Sequence, residues 1–306
     1  MTVFPIQNSS SNQIARPGCR ERCGNIILPH PFGMHDTNCY RPGFEIICDE
    51  SVSPPVASYF SRGGPVSSAS ELIDPGSGWS APILHKTPFT ISNTLNKLTV
   101  IGCNIFGFVI PLNNGITNFT SSGCASRCDV ILGYNSSIPN PCDSGNGCCK
   151  VTIPSGLSGF KIQTASTSDS IQNLCVRAFL VDQEYFAVDD LIVSRDDSVV
   201  PVILDWAVPD FSTCREARRN PTGYACGYYT ECIDPNNGFG YRCKCAKGYE
   251  GNPYLKHGCQ DIDECKGPNK CGQEAICINT LGSHRYWRRH SNNTSAWARL
   301  LVVHRV

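Results

Sequence analysis

Apolar residues along this chain gather in short runs rather than in helical stripes. Phe44-Glu-Ile-Ile47, Lys97-Leu-Thr-Val-Ile101, Phe106-Gly-Phe-Val-Ile110 and Ala178-Phe-Leu-Val181 are rich in β-branched and aromatic side chains, and Gly, Pro, Asn and Ser separate them. Runs of this kind predict strands of a mostly antiparallel sheet. Val199-Val-Pro-Val-Ile-Leu-Asp-Trp206 reads as a further strand. No long segment repeats apolar positions at the 3.6-residue period of an amphipathic helix. Residues 51–80 carry many Ser, Pro and Gly and no cysteine, which predicts a long loop, and the polar residues 1–18 are predicted to be disordered. No apolar run approaches the roughly 18 residues needed to cross a membrane.

Cysteine changes this picture most. The chain has 306 residues and 20 cysteines, about four times the usual share. None sits at the C-x-x-C spacing of zinc ribbons and thioredoxin-like motifs. Disulfides are therefore expected, and with them an oxidising, extracellular setting. Five N-x-S/T sequons agree, at Asn8, Asn118, Asn135, Asn292 and Asn293. Asn118 and Asn135, in a polar stretch with Gly and Ser, are the expected acceptors. Lys+Arg 26 balances Asp+Glu 26, so no global field draws in nucleic acid or anionic lipid. Met1 to Ser10 has no charged n-region followed by an apolar h-region, which predicts that the N-terminus is incomplete for an exported chain.

Between Cys214, Cys226, Cys232, Cys243, Cys245 and Cys259 lie 11, 5, 10, 1 and 13 residues, followed by Asp261-Ile-Asp-Glu-Cys265. A unit this small buries too little apolar surface to fold without cross-links. The spacing resembles an epidermal-growth-factor (EGF) module, and the acidic lead-in resembles its calcium-binding form. Upstream, Cys19-Arg-Glu-Arg-Cys23-Gly-Asn-Ile-Ile-Leu-Pro-His-Pro-Phe-Gly33, Cys39-Tyr and Gly43-Phe-Glu-Ile-Ile-Cys48 resemble the galacturonan-binding ectodomain of plant wall-associated receptor kinases. Val100-Ile-Gly-Cys103-Asn, Gly145-Asn-Gly-Cys148-Cys149, Val202-Ile-Leu-Asp-Trp206 and Gly251-Asn-Pro-Tyr254 extend the likeness over about residues 19–284.

The resemblance implies a mainly β, disulfide-rich fold: a Cys-rich β domain followed by small EGF-like modules. Its expected divisions are a disordered 1–18, a galacturonan-binding domain at 19–200 and a linker at 201–213. An EGF-like unit at 214–259, a partial calcium-binding unit at 260–284 and a divergent basic tail at 285–306 complete the expected order. It implies the pairings Cys214–Cys232, Cys226–Cys243 and Cys245–Cys259, where sequence alone leaves 15 connectivities open. In the second unit Tyr286 stands where a fourth cysteine belongs, so Cys265–Cys277 alone is expected to close and Cys271 lacks its usual partner. The break suggests a frame change, a splice variant or a truncated gene model, with the tail as non-native sequence. Eleven cysteines precede residue 200, an odd number, and the adjacent Cys148 and Cys149 are expected to bond to different partners.

The same resemblance implies Ca²⁺ ligands at the Asp261 and Glu264 carboxylates, the Asn279 amide oxygen and the Ile262 and Thr280 carbonyls, an all-oxygen set suited to a hard cation. Asp210-Phe-Ser-Thr-Cys214 has no acid beside its cysteine, so no calcium is expected at the first unit. Binding of pectin or oligogalacturonides calls for cationic donors, and Arg20, Arg22, His30 and Arg41 cluster near the start of the first domain. Ordinary solvated surface charge gives the same pattern. Tyr249 is expected to pack on a minor hairpin. The modules would act as a spacer or stalk, or pair with other receptor ectodomains. Catalysis has little support: G-x-S-x-G, H-E-x-x-H, phosphate-loop and kinase signatures do not occur. Asp189-Asp190 and Asp196-Asp197 are carboxylates whose separation the sequence does not give.

Overall fold

Among the residues that the computed structural model describes there are twenty-one strands, most of them short, and almost no helix. It describes residues 13–61, 64–65, 79–80, 84, 87–112, 121–128, 142, 145, 147–166, 177–184, 201–266 and 275–288. In chain order the strands of the first domain are β1 (Arg22–Cys23), β2 (Ile26–Ile27), β3 (Ile47–Asp49), β4 (Val56–Ser58), β5 (Phe60–Ser61), β6 (Gly64–Pro65) and β7 (Trp79–Ser80). They continue with β8 (Phe89–Ile91), β9 (Asn96–Ile101), β10 (Ile105–Pro111), β11 (Ser122–Ser126), β12 (Cys148–Thr152), β13 (Phe160–Ser166), β14 (Arg177–Asp182) and β15 (Leu204–Trp206). The fold is mainly β and disulfide-rich, as the apolar runs and cysteines predict.

Two antiparallel sheets, ordered β11-β10-β13-β7 and β12-β9-β14, hold the core between them. Along β10 the residues Ile105, Gly107, Val109 and Pro111 are buried and alternate with more exposed ones. That alternation is the period-2 signature of a half-buried strand. β9 and β14 bury both faces: Leu98, Val100, Ala178 and Leu180 join the main core, while Ile101, Phe179 and Val181 form a second cluster with Cys142 and Cys148. Their near-continuous apolar runs follow from this two-sided burial. The sheets approach closely at Gly107, where a Cβ would collide with Val100 Cγ2.

Five disulfides fix the first domain: Cys19–Cys39, Cys23–Cys48, Cys103–Cys128, Cys124–Cys149 and Cys142–Cys148. Cys124–Cys149 ties β11 to β12 and so staples one sheet to the other. Each such bridge contributes about 2–4 kcal/mol by restricting the unfolded chain. Cys175 and Cys271 lie outside the described residues, as do Asn118, Asn135 and the other sequons, the paired aspartates between 185 and 200, and the tail beyond 288.

Three expectations for residues 1–213 need correction. Residues 13–18 are placed rather than loose, with Ala15 buried and the Ile14 carbonyl accepting the His30 N–H. The stretch 51–80 is not one loop, because Val56–Ser58 pairs in register with Ile47–Asp49, and Trp79–Ser80 adds to β13. Residues 201–213 are not a free linker: β15 pairs antiparallel with β8, and Trp206 packs edge-on against Phe32 and Phe44, at 5.2 and 5.5 Å between centroids.

The remainder comprises α1 (Cys214–Ala217), β16 (Thr230–Ile233), β17 (Arg242–Cys245), β18 (Tyr249–Gly251), β19 (Cys259–Asp261), a 3-10 turn at Glu264–Lys266, β20 (Ala275–Thr280) and β21 (Ser283–Arg288). Three two-stranded sheets result: β16-β17, β18-β19 and β20-β21. The bridges here are Cys214–Cys232, Cys226–Cys243, Cys245–Cys259 and Cys265–Cys277. Residues 285–288, expected to belong to a foldless tail, instead complete the last hairpin, with Ile276 opposite Trp287 and Cys277 opposite Tyr286. Cross-strand apolar and aromatic pairs of this kind stabilise a two-stranded sheet.

Candidate functional site

The four cationic residues expected to meet an acidic glycan do not form one exposed cluster. Arg20 is exposed but ion-paired with Glu50, whose carboxyl is held below the usual carboxylate range by that guanidinium. Arg22 is exposed on β1. His30 is 2% exposed, with Nδ1 3.3 Å from the Cys39 carbonyl; burial, with Arg16 nearby, lowers its pKa to about 4. A neutral, buried imidazole cannot contact a polymer in solution, so His30 is corrected to a core residue. Arg41 pairs with Asp210 and donates to the Gly223 carbonyl at 3.1 Å. Its charge is engaged at the contact between the first domain and the cysteine module. A shallow crevice beside these residues, lined by Ile26, Leu28, Phe32, Ile46 and Ala57, is apolar and carries no cation.

That contact is extensive, and sequence reasoning missed most of it. Asn252 is 5% exposed; its Nδ2 donates to the Ile14 carbonyl at 2.7 Å and to the His30 carbonyl at 2.8 Å, and its Oδ1 accepts the Tyr254 N–H at 2.9 Å. Asn237 acts the same way at a second point. Its Nδ2 donates to the Ile91 carbonyl and to Asp205, and its Oδ1 accepts the Gly156 N–H at 2.7 Å. Between them, Trp206 meets Tyr254 at 5.4 Å between centroids and lies under the Arg242 guanidinium at 5.1 Å. Burial pushes the Tyr254 hydroxyl up to about 12, so it stays neutral while accepting the Cys243 N–H at 2.9 Å. Side-chain amides carry both contacts because they offer donors and an acceptor together, and so satisfy backbone groups at a seam where strands do not pair. The module is thus docked on the first domain rather than held away from it as a stalk.

Of the expected calcium ligands, Asp261 and Asn279 meet at the start of the second unit. Asp261 accepts the Asn279 Nδ2 at 2.8 Å and also the Gly282 N–H. Glu264, 24% exposed at its side chain, has its Oε2 3.8 Å from His284 Nδ1 and without a hydrogen-bond partner. Asp263 is occupied in capping the 3-10 turn, accepting the Cys265 N–H at 3.1 Å. Among the described residues no three His, Cys, Asp or Glu side chains gather as a metal site. The side chains that do meet are the Asp261 carboxylate and the Asn279 amide, oxygen-bearing groups of the type that suits Ca²⁺. The Glu264 carboxylate oxygen without a hydrogen-bond partner is of the kind a cation would take as a ligand. Ile262 and Thr280 flank this set in the chain; the Ile262 N–H donates to the Gly248 carbonyl at 2.9 Å.

Tyr249 lies in the β18-β19 hairpin and stacks on Tyr229 with centroids 4.6 Å apart and planes 5° apart. Its other contact reaches into the next unit at Gly282, where φ is +70° and a Cβ would stand 2.8 Å from the ring. The structural role expected of Tyr249 therefore extends across the boundary between the two units.

Residues 19–68 match the family described as wall-associated receptor kinase galacturonan-binding. Wall-associated receptor kinase 2 of Arabidopsis thaliana is 34% identical over 290 residues, which cover 88% of this chain and 38% of that protein. Wall-associated receptor kinase 5 of the same plant is 34% identical over 293 residues, with the same two coverages. Wall-associated receptor kinase 1 is 32% identical over 301 residues, covering 87% of this chain and 38% of the relative. The chain thus spans 38% of the length of these curated relatives. No solved structure matches it.

Proposed function

We propose, from the premise that this chain belongs to the wall-associated receptor kinase family, that it is an extracellular or cell-wall receptor segment that binds pectic polysaccharide. The match of residues 19–68 to galacturonan-binding sequences carries this reading. The disulfide-stapled fold supports the setting, since bridges of this density persist only outside reducing compartments. Polygalacturonate presents a carboxylate on each sugar, and Arg recognises carboxylates in bidentate fashion. Retention of the full chain on immobilised polygalacturonate, weakening as salt rises, is the expected result. Retention indifferent to salt and to the glycan would refute it.

Calcium at Asp261, Glu264 and Asn279, with the Ile262 and Thr280 carbonyls, is part of the same proposal. The ion would cancel the two carboxylate charges and draw the start of the second unit onto its hairpin. Titration calorimetry should show Ca²⁺ binding that Asp261→Asn weakens at least about tenfold, as loss of a ligand charge in an oxygen site implies. No heat of binding up to millimolar Ca²⁺ would remove calcium from the reading.

A second reading, contact with another receptor ectodomain, draws on the last hairpin. Ile276, Ile278 and Trp287 are 44%, 45% and 43% exposed and project from one face of β20-β21. Apolar surface grouped in this way marks protein-binding faces. Co-sedimentation with a wall-associated receptor ectodomain, lost in Trp287→Ser, tests it; co-sedimentation unchanged by that substitution counts against it.

A further inference from the structure

Arg215 lies in α1, Arg218 is its C-cap and Arg219 follows, and this i, i+3, i+4 spacing groups the three side chains around one short turn. The turn is well defined. Thr213 caps it, with its hydroxyl accepting the Glu216 N–H at 3.3 Å. Beyond Ala217 it continues: Arg218 N–H donates to the Cys214 carbonyl, Arg219 N–H to that of Glu216 and Asn220 N–H to that of Ala217, at 3.0–3.1 Å. Cys214 and Ala217 point inward, joining the buried cluster around Tyr241, and Cys214–Cys232 anchors the turn covalently. All three arginines are exposed.

Repulsion among like charges at this spacing destabilises a helix unless an acid answers it. The turn contains one acid, Glu216, and its Oε2 is turned back to the Ser212 N–H at 3.0 Å. That reciprocal cap uses the carboxylate on the backbone. Among the described residues no carboxylate pairs with Arg215, Arg218 or Arg219, whereas Arg20 and Arg41 are both ion-paired. Three unpaired guanidiniums therefore stand together on a chain whose net charge is zero.

We propose that Arg215, Arg218 and Arg219 form a docking face for a polyanionic glycan on the first cysteine module. The inference rests on the polygalacturonate-binding reading for its ligand class, and on the geometry of the turn for its position. The forks of three arginines around one turn suit a polymer that repeats a carboxylate along its length, because successive anions meet successive donors. The face adjoins the domain contact, since Arg41 donates to the Gly223 carbonyl and the Gly223 N–H donates to that of Asn220 at 3.1 Å. A chain bound here would lie beside the first domain rather than at the end of a stalk.

The test compares the full chain with R215Q/R218Q/R219Q and with a charge-matched control, K244Q/K247Q/K256Q, whose sites are also exposed. Binding is measured to polygalacturonate, to fully methyl-esterified pectin and to dextran sulfate. The arginine triple should bind polygalacturonate about tenfold more weakly, as the loss of three exposed ionic contacts implies, with the control within about twofold of wild type. A smaller loss on dextran sulfate assigns the face to uronate carboxylates, and an equal loss assigns it to polyanionic glycans in general. Esterified pectin should not distinguish the variants. R215K/R218K/R219K, which keeps the charge and loses the forks, should fall between and serves if the glutamine triple folds poorly. Wild-type affinity in the glutamine triple, or an equal loss in the control, overturns the proposed face alone. Failure of the wild-type chain to bind polygalacturonate overturns the face together with the pectin reading.

Discussion

Asn252→Ala is the most direct probe of the contact between the first domain and the cysteine module. The substitution removes three hydrogen bonds, to the Ile14 and His30 carbonyls and from the Tyr254 N–H. Their loss is not equivalent. The Ile14 carbonyl keeps the His30 N–H at 2.9 Å, so it remains satisfied. The His30 carbonyl and the Tyr254 N–H lose the partners that Asn252 supplies, in a region where Asn252 itself is 5% exposed. A buried polar group left without a partner costs about 1–3 kcal/mol, so two of them predict a loss of about 2–6 kcal/mol if water does not enter. Asn252→Asp should be no better, since its carboxylate would face two carbonyl oxygens. Urea denaturation of the full chain gives the stability change, and amide exchange localises it to residues 13–18 and 252–258. A change below about 0.5 kcal/mol, with exchange protection intact at both places, would show that the docked contact does not form in solution, because surface substitutions alone fall in that range.

Other expectations follow from the same structure. Gly107→Ala should destabilise by about 1–3 kcal/mol through collision with Val100, and Val100→Ala should restore part of the loss in a double-mutant cycle. Additive effects would show that the two sheets can separate freely there. Folded His30 titrates at about 4 against 6.5 in the unfolded chain, so the unfolded state binds the extra proton between those values. Stability should therefore hold above pH 6.5 and fall as pH drops toward 4, by about 3 kcal/mol at 1.36 kcal/mol per pH unit. Denaturant midpoints across pH 4–7 should flatten in a His30→Asn variant; an unchanged slope would place the acid sensitivity elsewhere. Gly282→Ala should loosen the second unit selectively, raising exchange in β20-β21 while β16-β17 keeps its protection.

The architecture was legible where burial is simple. Lys97–Ile101, Phe106–Ile110 and Ala178–Val181 are strands because their side chains fill one or two apolar clusters, and periodicity reports that directly. Phe44–Ile47 was only half legible. Phe44 and Ile46 are core residues, but Glu45 makes an isolated bridge with Gly33 and the regular strand begins at Ile47. What the pattern could not show is which polar residues are buried. Asn252 and Asn237 look like ordinary loop residues, yet each satisfies backbone groups on the opposite domain, at separations of 81 to 238 residues. His30 and Arg41 misled for the same reason: cationic residues near one another in sequence suggest a surface, and the fold consumes one in the core and one in an ion pair. Gly251-Asn-Pro-Tyr254 was recognisable as a motif, and its physical content is the pair of buried groups that Asn252 and Tyr254 bring to the contact.

The same logic accounts for how the last hairpin holds its place with Cys265–Cys277 as its bridge. In the first unit Cys232 stands opposite Cys243, and in the second Cys277 stands opposite Tyr286, so the aromatic occupies the register position of the fourth cysteine. A ring there cannot close a loop covalently, and the constraint must come from neighbours. It comes from the unit before: Asp261 accepts the Gly282 N–H, the Gly248 carbonyl accepts the Ile262 N–H, and the Tyr249 ring covers Gly282. Gly282 has no side chain to prevent that approach. The second unit thus rests on the first, and the first on the β domain through Asn252, Asn237 and Trp206. Weakening the domain contact should therefore reach the Asp261 and Glu264 carboxylates, and a change at those carboxylates should be felt at the contact through the same coupling energy; amide exchange at both places in Asn252→Ala and Asp261→Asn checks it.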